Sequence, residues 1–232
     1  MEEDILSNLD PEINFDSRIK TVIVVRHAES FANTQGIYQG QSYDTDLSEL
    51  GRKQAEALAE RLESFELDKI ITSPLKRAYK TAEAVFSRTG SEIEVNELII
   101  ETNHGVWEGK QRDWIIQKFP DLYELWQEKP SRVVFPEGEM FMDTVRRTLN
   151  FLENTTFESS TLVVTHDNII RVMISLIKNT DIDKMWQIPL ETASLNFFEV
   201  NKVRGKNVFR VLRQNEIDHL VGLRNNIEVH AL

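Results

Sequence analysis

The sequence predicts an α/β fold on a mostly parallel β-sheet with an antiparallel edge, and three observations carry that prediction. Two short apolar runs each end in a histidine and lead straight into helical patterning, in "TVIVVRHAES" and "TLVVTHDNIIRVMISLIKN". Between them strand and helix patterns alternate, the signature of crossover connections between parallel strands. At the end, "SLNFFEV" and "NVFRVLRQ", joined by "NKVRGK", read as a β-hairpin with Gly205 in its turn.

Taken in order, Thr21, Val22, Ile23, Val24 and Val25 make a strand buried on both faces. Arg26, His27 and Glu29 then demand water or a charged partner, so a polar site is expected at that strand's C-terminal end. In "LSELGRKQAEALAERLESF" the apolar residues Leu50, Ala55, Leu58, Ala59 and Leu62 share one helical face, with Ser48 placed to cap it. "KIITS" is a short strand, and Pro74 suits the first turn of the helix in "PLKRAYKTAEAVFSR". "RDWIIQKFPDLYELWQEKP" reads as one or two helices in a long excursion. "MDTVRRTLNFLENT" reads as a helix with Val145, Leu149 and Leu152 facing the core.

A chain of 232 residues with 41% hydrophobic and 28% charged residues suits one large domain, here expected over residues 19–232 behind an acidic N-terminal extension, residues 1–18. Cysteine is absent, which removes disulfides, a thiolate nucleophile and cysteine-based zinc sites. The acidic start lacks a secretory pattern and no apolar run is long enough to span a bilayer, so a cytoplasmic protein without membrane attachment is expected. The net charge of -11 argues against nucleic acid as a partner. Oligomeric state is not legible, and a homodimer stays open.

Ligands of open α/β sheets bind beyond the carboxyl ends of the strands. Three junctions there supply Arg26 with His27, Ser73 with Arg77 one turn into its helix, and Thr165 with His166. Two arginines and two histidines converge if these strands are neighbours. Guanidinium forks and helix N-termini suit a phosphoryl group, each close Arg–phosphate pair being worth roughly 4 kcal/mol of Coulomb energy at an effective dielectric of 20, before desolvation. Binding alone needs only cations, whereas two imidazoles point to a reaction. Two strand-end histidines between arginines, without a carboxylate at ligand spacing, make a poor divalent metal site.

"RHAES" followed by Asn33, then "SPLKRAYKTAE", "ETNHGVWEG", "PEGE" and "VVTHDNIIR" resemble, in order, the motifs of the histidine phosphatase superfamily in its phosphoglycerate mutase-like branch. The resemblance spans about Thr21 to Leu220. It implies a three-layer sandwich with a helical lid insertion, and a reaction in which His27 attacks phosphorus and becomes a phosphohistidine. Arg26, Arg77 and His166 would hold the phosphoryl oxygens, with Asn33 also touching phosphate. Glu101 would protonate the leaving alkoxide and then deprotonate the attacking water, which requires its acid form to be favoured by burial or by the incoming phosphate. Gln39, Gly40, Glu139 and Asp167 are further candidates at the substrate, Glu139 as support for the clamp. No cofactor and no metal are implied.

Two positions depart from that pattern. Ala28 stands where glycine is commonest, acceptable if its φ is negative. Asp167 stands where glycine usually follows the second histidine, so its carboxylate is expected to turn away from phosphate or to meet a substrate cation. Glu97 and Glu108 compete with Glu101 for the acid role or serve as solvated or capping carboxylates. His104, His219 and His230 suit structural or pocket-wall roles. Trp107, Trp114, Trp126 and Trp186, with Phe119 and Tyr123, read as core before cleft.

The function expected is a metal-independent phosphomonoesterase acting on a small phosphorylated metabolite. The alternative is a cofactor-dependent phosphoglycerate mutase, which returns the phosphoryl group to substrate and must exclude water. The short segment of mixed charge from Lys110 to Phe135 favours hydrolysis, and is expected to form the lid that selects the leaving group. A catalytically silent scaffold is disfavoured because no nucleophile or arginine of the motifs is missing. The lid's aromatic content hints at a substrate larger than a triose.

Overall fold

The structure is a computed structural model, and it describes residues 20–224. Six strands form one sheet in the order β3-β2-β4-β1-β5-β6. These are β1 (Lys20–Arg26), β2 (Lys69–Thr72), β3 (Glu92–Val95), β4 (Ser160–Thr165), β5 (Leu195–Val203) and β6 (Lys206–Glu216). The first four run parallel, and the terminal hairpin joins β1 antiparallel. Arg204 and Gly205 both take positive φ in its tight turn, as the right-handed twist of a two-residue hairpin loop requires.

Alternation along β1 builds both outer layers. Val22 and Val24 join one core cluster with Ile169, Ile170, Met173 and Ile174 of α7 (Asp167–Ile177) and Phe151 and Leu152 of α6 (Phe141–Asn154). Ile23 and Val25 join the other, with Leu58 and Leu62 of α2 (Glu49–Leu62) and Ala78, Ala82 and Val85 of α3 (Lys76–Thr89). The four β1 residues Val22 to Val25 are at most 2% exposed. At about 1.5–3 kcal/mol each, their burial anchors the strand that ends in Arg26. The expected three-layer arrangement is therefore present.

A further core cluster is built around α4 (Arg112–Lys118) and α5 (Pro120–Glu128), which are separated where Pro120 starts a new helix. Trp107 and Trp126 are fully buried there and pack edge-on against Phe135. These indoles are core of the lid and do not line a cleft, so they say nothing about substrate size.

Ser48 caps α2 through the Gly51 amide, as expected. Other expectations shift. α3 begins at Lys76 with Leu75 as its cap residue, which leaves Pro74 just ahead of the helix. Leu149 is 40% exposed because the inward stripe of α6 runs through Phe141, Thr144, Val145, Thr148, Phe151 and Leu152. The edge strand β3 and the four-residue helix α1 (Phe31–Thr34) were not foreseen, the first being polar at alternate positions and the second a single capped turn. The N-terminal extension and His230 lie outside the described residues. Among the described residues no helix is long and apolar enough to cross a membrane.

Candidate active site

The sheet register brings the polar junctions together. Arg26 lies opposite Thr165 in the β1–β4 ladder, and Thr72 lies opposite Val164 in the β2–β4 ladder. One residue later the His27 amide donates to Thr165 O (2.9 Å) and the Ser73 amide to Val164 O (3.0 Å). Three adjacent strand ends thus deliver His27, Ser73 and His166, with the two imidazole centroids 5.3 Å apart. The spatial condition for convergence is met.

The tautomer of His27 is fixed by two contacts. Its Nδ1 sits 2.8 Å from Ala28 O, and a carbonyl can only accept, so Nδ1 carries the proton. Arg77 Nε then donates to Nε2 at 3.3 Å, the nitrogen that keeps a lone pair. Ala28 fits because it is not among the described residues with positive φ, and its own amide donates to Thr81 Oγ1.

Arg77, 1% exposed, is oriented by the loop that follows α1. Its Nη1 reaches Asp44 (3.0 Å) and its Nη2 reaches Gly40 O (3.0 Å), while Asp44 also accepts from the Lys76 amide at the start of α3. Burial lowers the guanidinium's pKa, and Glu101 and Asp44 act against that. Glu108 pins the same loop, accepting from the amides of Gln41, Ser42, Tyr43 and His104 and from the Ser42 hydroxyl. A Cβ on Gly40 would stand 1.9 Å from Glu108 Oε1, so glycine is required by the close carboxylate. Burial raises the Glu108 pKa, but these donors outweigh it and hold the carboxyl below its usual range. Gln39 receives Thr45 Oγ1 on its side chain and His104 Nδ1 on its carbonyl.

On the other side, Arg26 Nη1 meets Asp167 (2.9 Å) and Leu190 O (3.0 Å). Asp167 also takes Arg171 Nε at 2.6 Å and Nη2 at 3.3 Å. Both carboxylate oxygens are therefore held by arginines, and the carboxylate is not presented to a substrate cation. Burial pushes its pKa up, yet Arg171 and Arg26 prevail and keep it ionised. His166 Nε2 contacts Ser73 Oγ at 2.7 Å. Burial first, then the nearby charges of Arg77, His27, Arg147 and Arg26, drive its pKa well below the ordinary value.

Buried polar atoms without a hydrogen-bond partner among the described residues include Arg26 Nε, Asn33 Nδ2 and His166 Nδ1. Asn33 spends its other side-chain atom, Oδ1, on Ser30 in a capping box. Leaving buried polar atoms unpaired costs about 1–3 kcal/mol each, which an arriving anion with several acceptor oxygens would recover from the donors.

Glu101 is 4% exposed and accepts from the Thr102 amide at 2.7 Å. Burial raises its pKa against the opposing effects of that amide, Arg77 and Arg147. Its backbone is tied down by Gln41 Nε2 and Arg147 Nη2, both donating to Glu101 O. Glu139 Oε1 accepts from the Asn103 amide, Thr144 Oγ1 and Arg147, which places this carboxylate on the loop carrying Glu101.

A model of the histidine phosphatase superfamily (branch 1) matches residues 22–214. The chain belongs to that superfamily. It is 36% identical over 202 residues to phosphoserine phosphatase 1 of Hydrogenobacter thermophilus, covering 86% of this chain and 93% of that one. Glucosyl-3-phosphoglycerate phosphatase of Mycolicibacterium vanbaalenii is 33% identical over 132 residues, 57% of this chain and 58% of its own. Among solved structures, Bacillus stearothermophilus YhfR superposes with a TM-score of 0.77 at 30% identity, covering 87% of this chain and 99% of that one. The protein is thus a phosphoric monoester hydrolase of this superfamily.

For this phosphatase, sequence reasoning missed Asp44 and Arg147. Asp44 lies 33 residues from Arg77, and Arg147 lies 46 from Glu101. Only the folded sheet shows that "DTDLSE" and the polar flank of α6 face the site. Glu97 opens a short 3-10 helix beside Ile99, whereas Glu108 is the loop staple described above. His104 is fully buried, its pKa lowered to about 4 chiefly by burial, and Asn168 Nδ2 donates toward its Nε2. His219 Nε2 lies against Ala193 O. Among the described residues no group of three or more metal-ligating side chains occurs.

Proposed function

We propose that this phosphatase hydrolyses a small phosphorylated carboxylic acid without a metal ion, through a phosphohistidine on His27. The observation that carries the reading is the set of buried atoms without a hydrogen-bond partner among the described residues, Arg26 Nε, Asn33 Nδ2 and His166 Nδ1, with the His166 ring 5.3 Å from a His27 imidazole whose Nδ1 is held by Ala28 O. Nε2 attacks phosphorus as the P–O ester bond breaks, and the Glu101 carboxyl gives its proton to the departing alkoxide. Water then attacks phosphorus, giving a proton to Glu101, as the P–N bond breaks, which releases inorganic phosphate and returns the lone pair to Nε2. Fixed donors stabilise charge on the equatorial oxygens, and Arg77 exchanges its contact with Nε2 for one with phosphate.

The substrate class follows from the relatives. Phosphoserine, and the phosphoglycerate unit named in the mycobacterial enzymes, both carry a carboxylate close to the phosphate ester. L-Phosphoserine is the first substrate to test, against sugar phosphates and 3-phosphoglycerate. Release of inorganic phosphate is the expected product. Formation of 2-phosphoglycerate from 3-phosphoglycerate, with or without bisphosphoglycerate, would establish the mutase instead. Rapid quench with radiolabelled ester should trap an acid-labile adduct on His27, and activity should survive chelators. Loss of activity to chelators, or no adduct where hydrolysis of the phosphoenzyme limits turnover, would overturn the mechanism. We place the protein in the cytoplasm, which cell fractionation checks.

A further inference from the structure

The loop carrying Glu101 has little regular structure of its own. It runs from a three-residue 3-10 helix (Glu97–Ile99) to another at Gly105–Trp107, and between them no strand or helix fixes the backbone. A proton donor on such a segment is placed only as well as its carbonyls and amides are held, and misplacement by about 1 Å can cost roughly 100-fold in rate.

Several side chains share that holding: Gln41 Nε2 donates to Glu101 O, Thr165 Oγ1 donates to Ile99 O, and a single guanidinium reaches three carbonyls. Arg147, on α6, donates from Nη1 to Leu98 O (3.2 Å) and to Ile100 O, and from Nη2 to Glu101 O (3.0 Å). Its Nη2 also meets Glu139 Oε1 (3.1 Å) and Thr144 Oγ1 (3.2 Å). Glu139 Oε1 in turn accepts from the Asn103 amide (2.7 Å), two residues beyond Glu101. The planar fork of a guanidinium can span carbonyls on one strand of backbone in a way a lysine ammonium cannot.

We propose that Arg147 is a positioning residue for proton transfer, fixing the main chain on both sides of Glu101 through three carbonyls and, through Glu139, the Asn103 amide. The inference rests on Glu101 being the acid. Its consequence is specific: loss of Arg147 damages protonation of the leaving group and leaves the phosphate clamp intact.

The charged groups acting on Glu101 include Arg77 from α3, Asp167 from α7 and Arg147 from α6. Arg147 and Arg77 lower its pKa and Asp167 raises it, so removing the Arg147 charge moves the pKa upward. The alkaline limb of kcat/KM, which reports the acid in the free enzyme, should move to higher pH in Arg147→Met and stay in place in Arg147→Lys.

The experiment compares kcat/KM, which covers steps only through P–O cleavage, for two esters. One is an alkyl phosphate, L-phosphoserine or 3-phosphoglycerate, whichever the parent protein turns over faster. The other is p-nitrophenyl phosphate, whose leaving group departs without a proton. Both Arg147 variants should lose roughly 30-fold or more on the alkyl ester and no more than about threefold on the aryl ester. Glu101→Gln should show the same split, more strongly. Equal losses on both esters for the Arg147 variants, with the split kept in Glu101→Gln, overturn the role of Arg147 alone. Equal losses in Glu101→Gln remove the acid reading and this inference with it. Arg147→Lys keeps the charge beside Glu139, so the comparison survives should Arg147→Met fold poorly.

Discussion

His27 and His166 leave neighbouring parallel strands at matching positions, yet their surroundings assign them opposite work. The orienting partner of His27, the proposed nucleophile, is main chain, Ala28 O, with Arg77 Nε at its other nitrogen. The second histidine is oriented by a side chain, Ser73 Oγ, and its Nδ1 has no hydrogen-bond partner among the described residues. One imidazole keeps a lone pair on the ring nitrogen that faces Arg77, and the other leaves Nδ1 open for the clamp proposed above. Identical placement on a sheet therefore does not decide a residue's chemistry; the partner at the far ring nitrogen does.

Replacing each ring should expose the asymmetry. His27→Ala removes the atom proposed to accept the phosphoryl group, so kcat should fall by at least ~10³-fold and no adduct should be trapped. His166→Ala removes one of several stabilising contacts, with an expected fall of roughly 10²–10³-fold while an adduct still forms slowly. Quench-flow of both variants with the same labelled ester checks this. Equal residual activity without any adduct in either would erase the distinction.

The two halves are joined where Arg26, which precedes one histidine, meets Asp167, which follows the other. This carboxylate neutralises two buried guanidiniums, so its removal strands both. Asp167→Gly should cost about 3–5 kcal/mol of stability, measured by urea unfolding. Activity should fall with it, even though a negative charge beside Arg26 has gone. A gain in kcat/KM would show that repulsion of phosphate outweighs the anchoring of Arg26.

Acid titration separates the halves again. The unfolded chain protonates His166 near its ordinary value of 6.5, whereas the folded chain refuses that proton until pH is far lower. Between those values the unfolded state binds more protons, so stability drops as pH falls below about 6.5, by about 1.4 kcal/mol per pH unit from this residue. His166→Asn should remove that share of the slope in unfolding free energy measured across the window. An unchanged slope would mean that His166 is charged in the fold.

How much of this was legible in the sequence depends on distance along the chain. The strand ends announce themselves because Val22 to Val25 want complete burial and Arg26 and His27 do not. Ser48 and Gly205 are visible for the same local reason, a cap and a turn that need particular residue types. Asp44, Arg147 and the Arg26–Asp167 pair are invisible because each gains meaning only across the sheet or the lid. Trp107 and Trp126, read as core before cleft, are core, and with their rings buried the hint of a substrate larger than a triose loses its basis. Leu149 fails likewise, since Thr148 occupies the inward position beside it on α6.

The finest test of the comparison is Ser73→Ala. No substitution can delete Ala28 O, so the orientation of the nucleophile is protected, whereas that of His166 hangs on one hydroxyl. Both Ser73 and His166 are fully buried, so loss of the 2.7 Å contact leaves Nε2 without a water substitute at hand. The hydroxyl also receives the Leu75 amide at 3.4 Å, a long contact that contributes little. With neither ring nitrogen held, both tautomers and a wider range of ring angles become accessible, and the donor aimed at phosphate is present only part of the time. A cost of about 1 kcal/mol corresponds to a roughly fivefold lower kcat. Adduct formation should slow by the same factor and its hydrolysis with it, because the same phosphoryl oxygens are held in both steps. A loss confined to adduct formation would instead tie Ser73 to the nucleophile, and the separation of the two histidines would fail at its narrowest point.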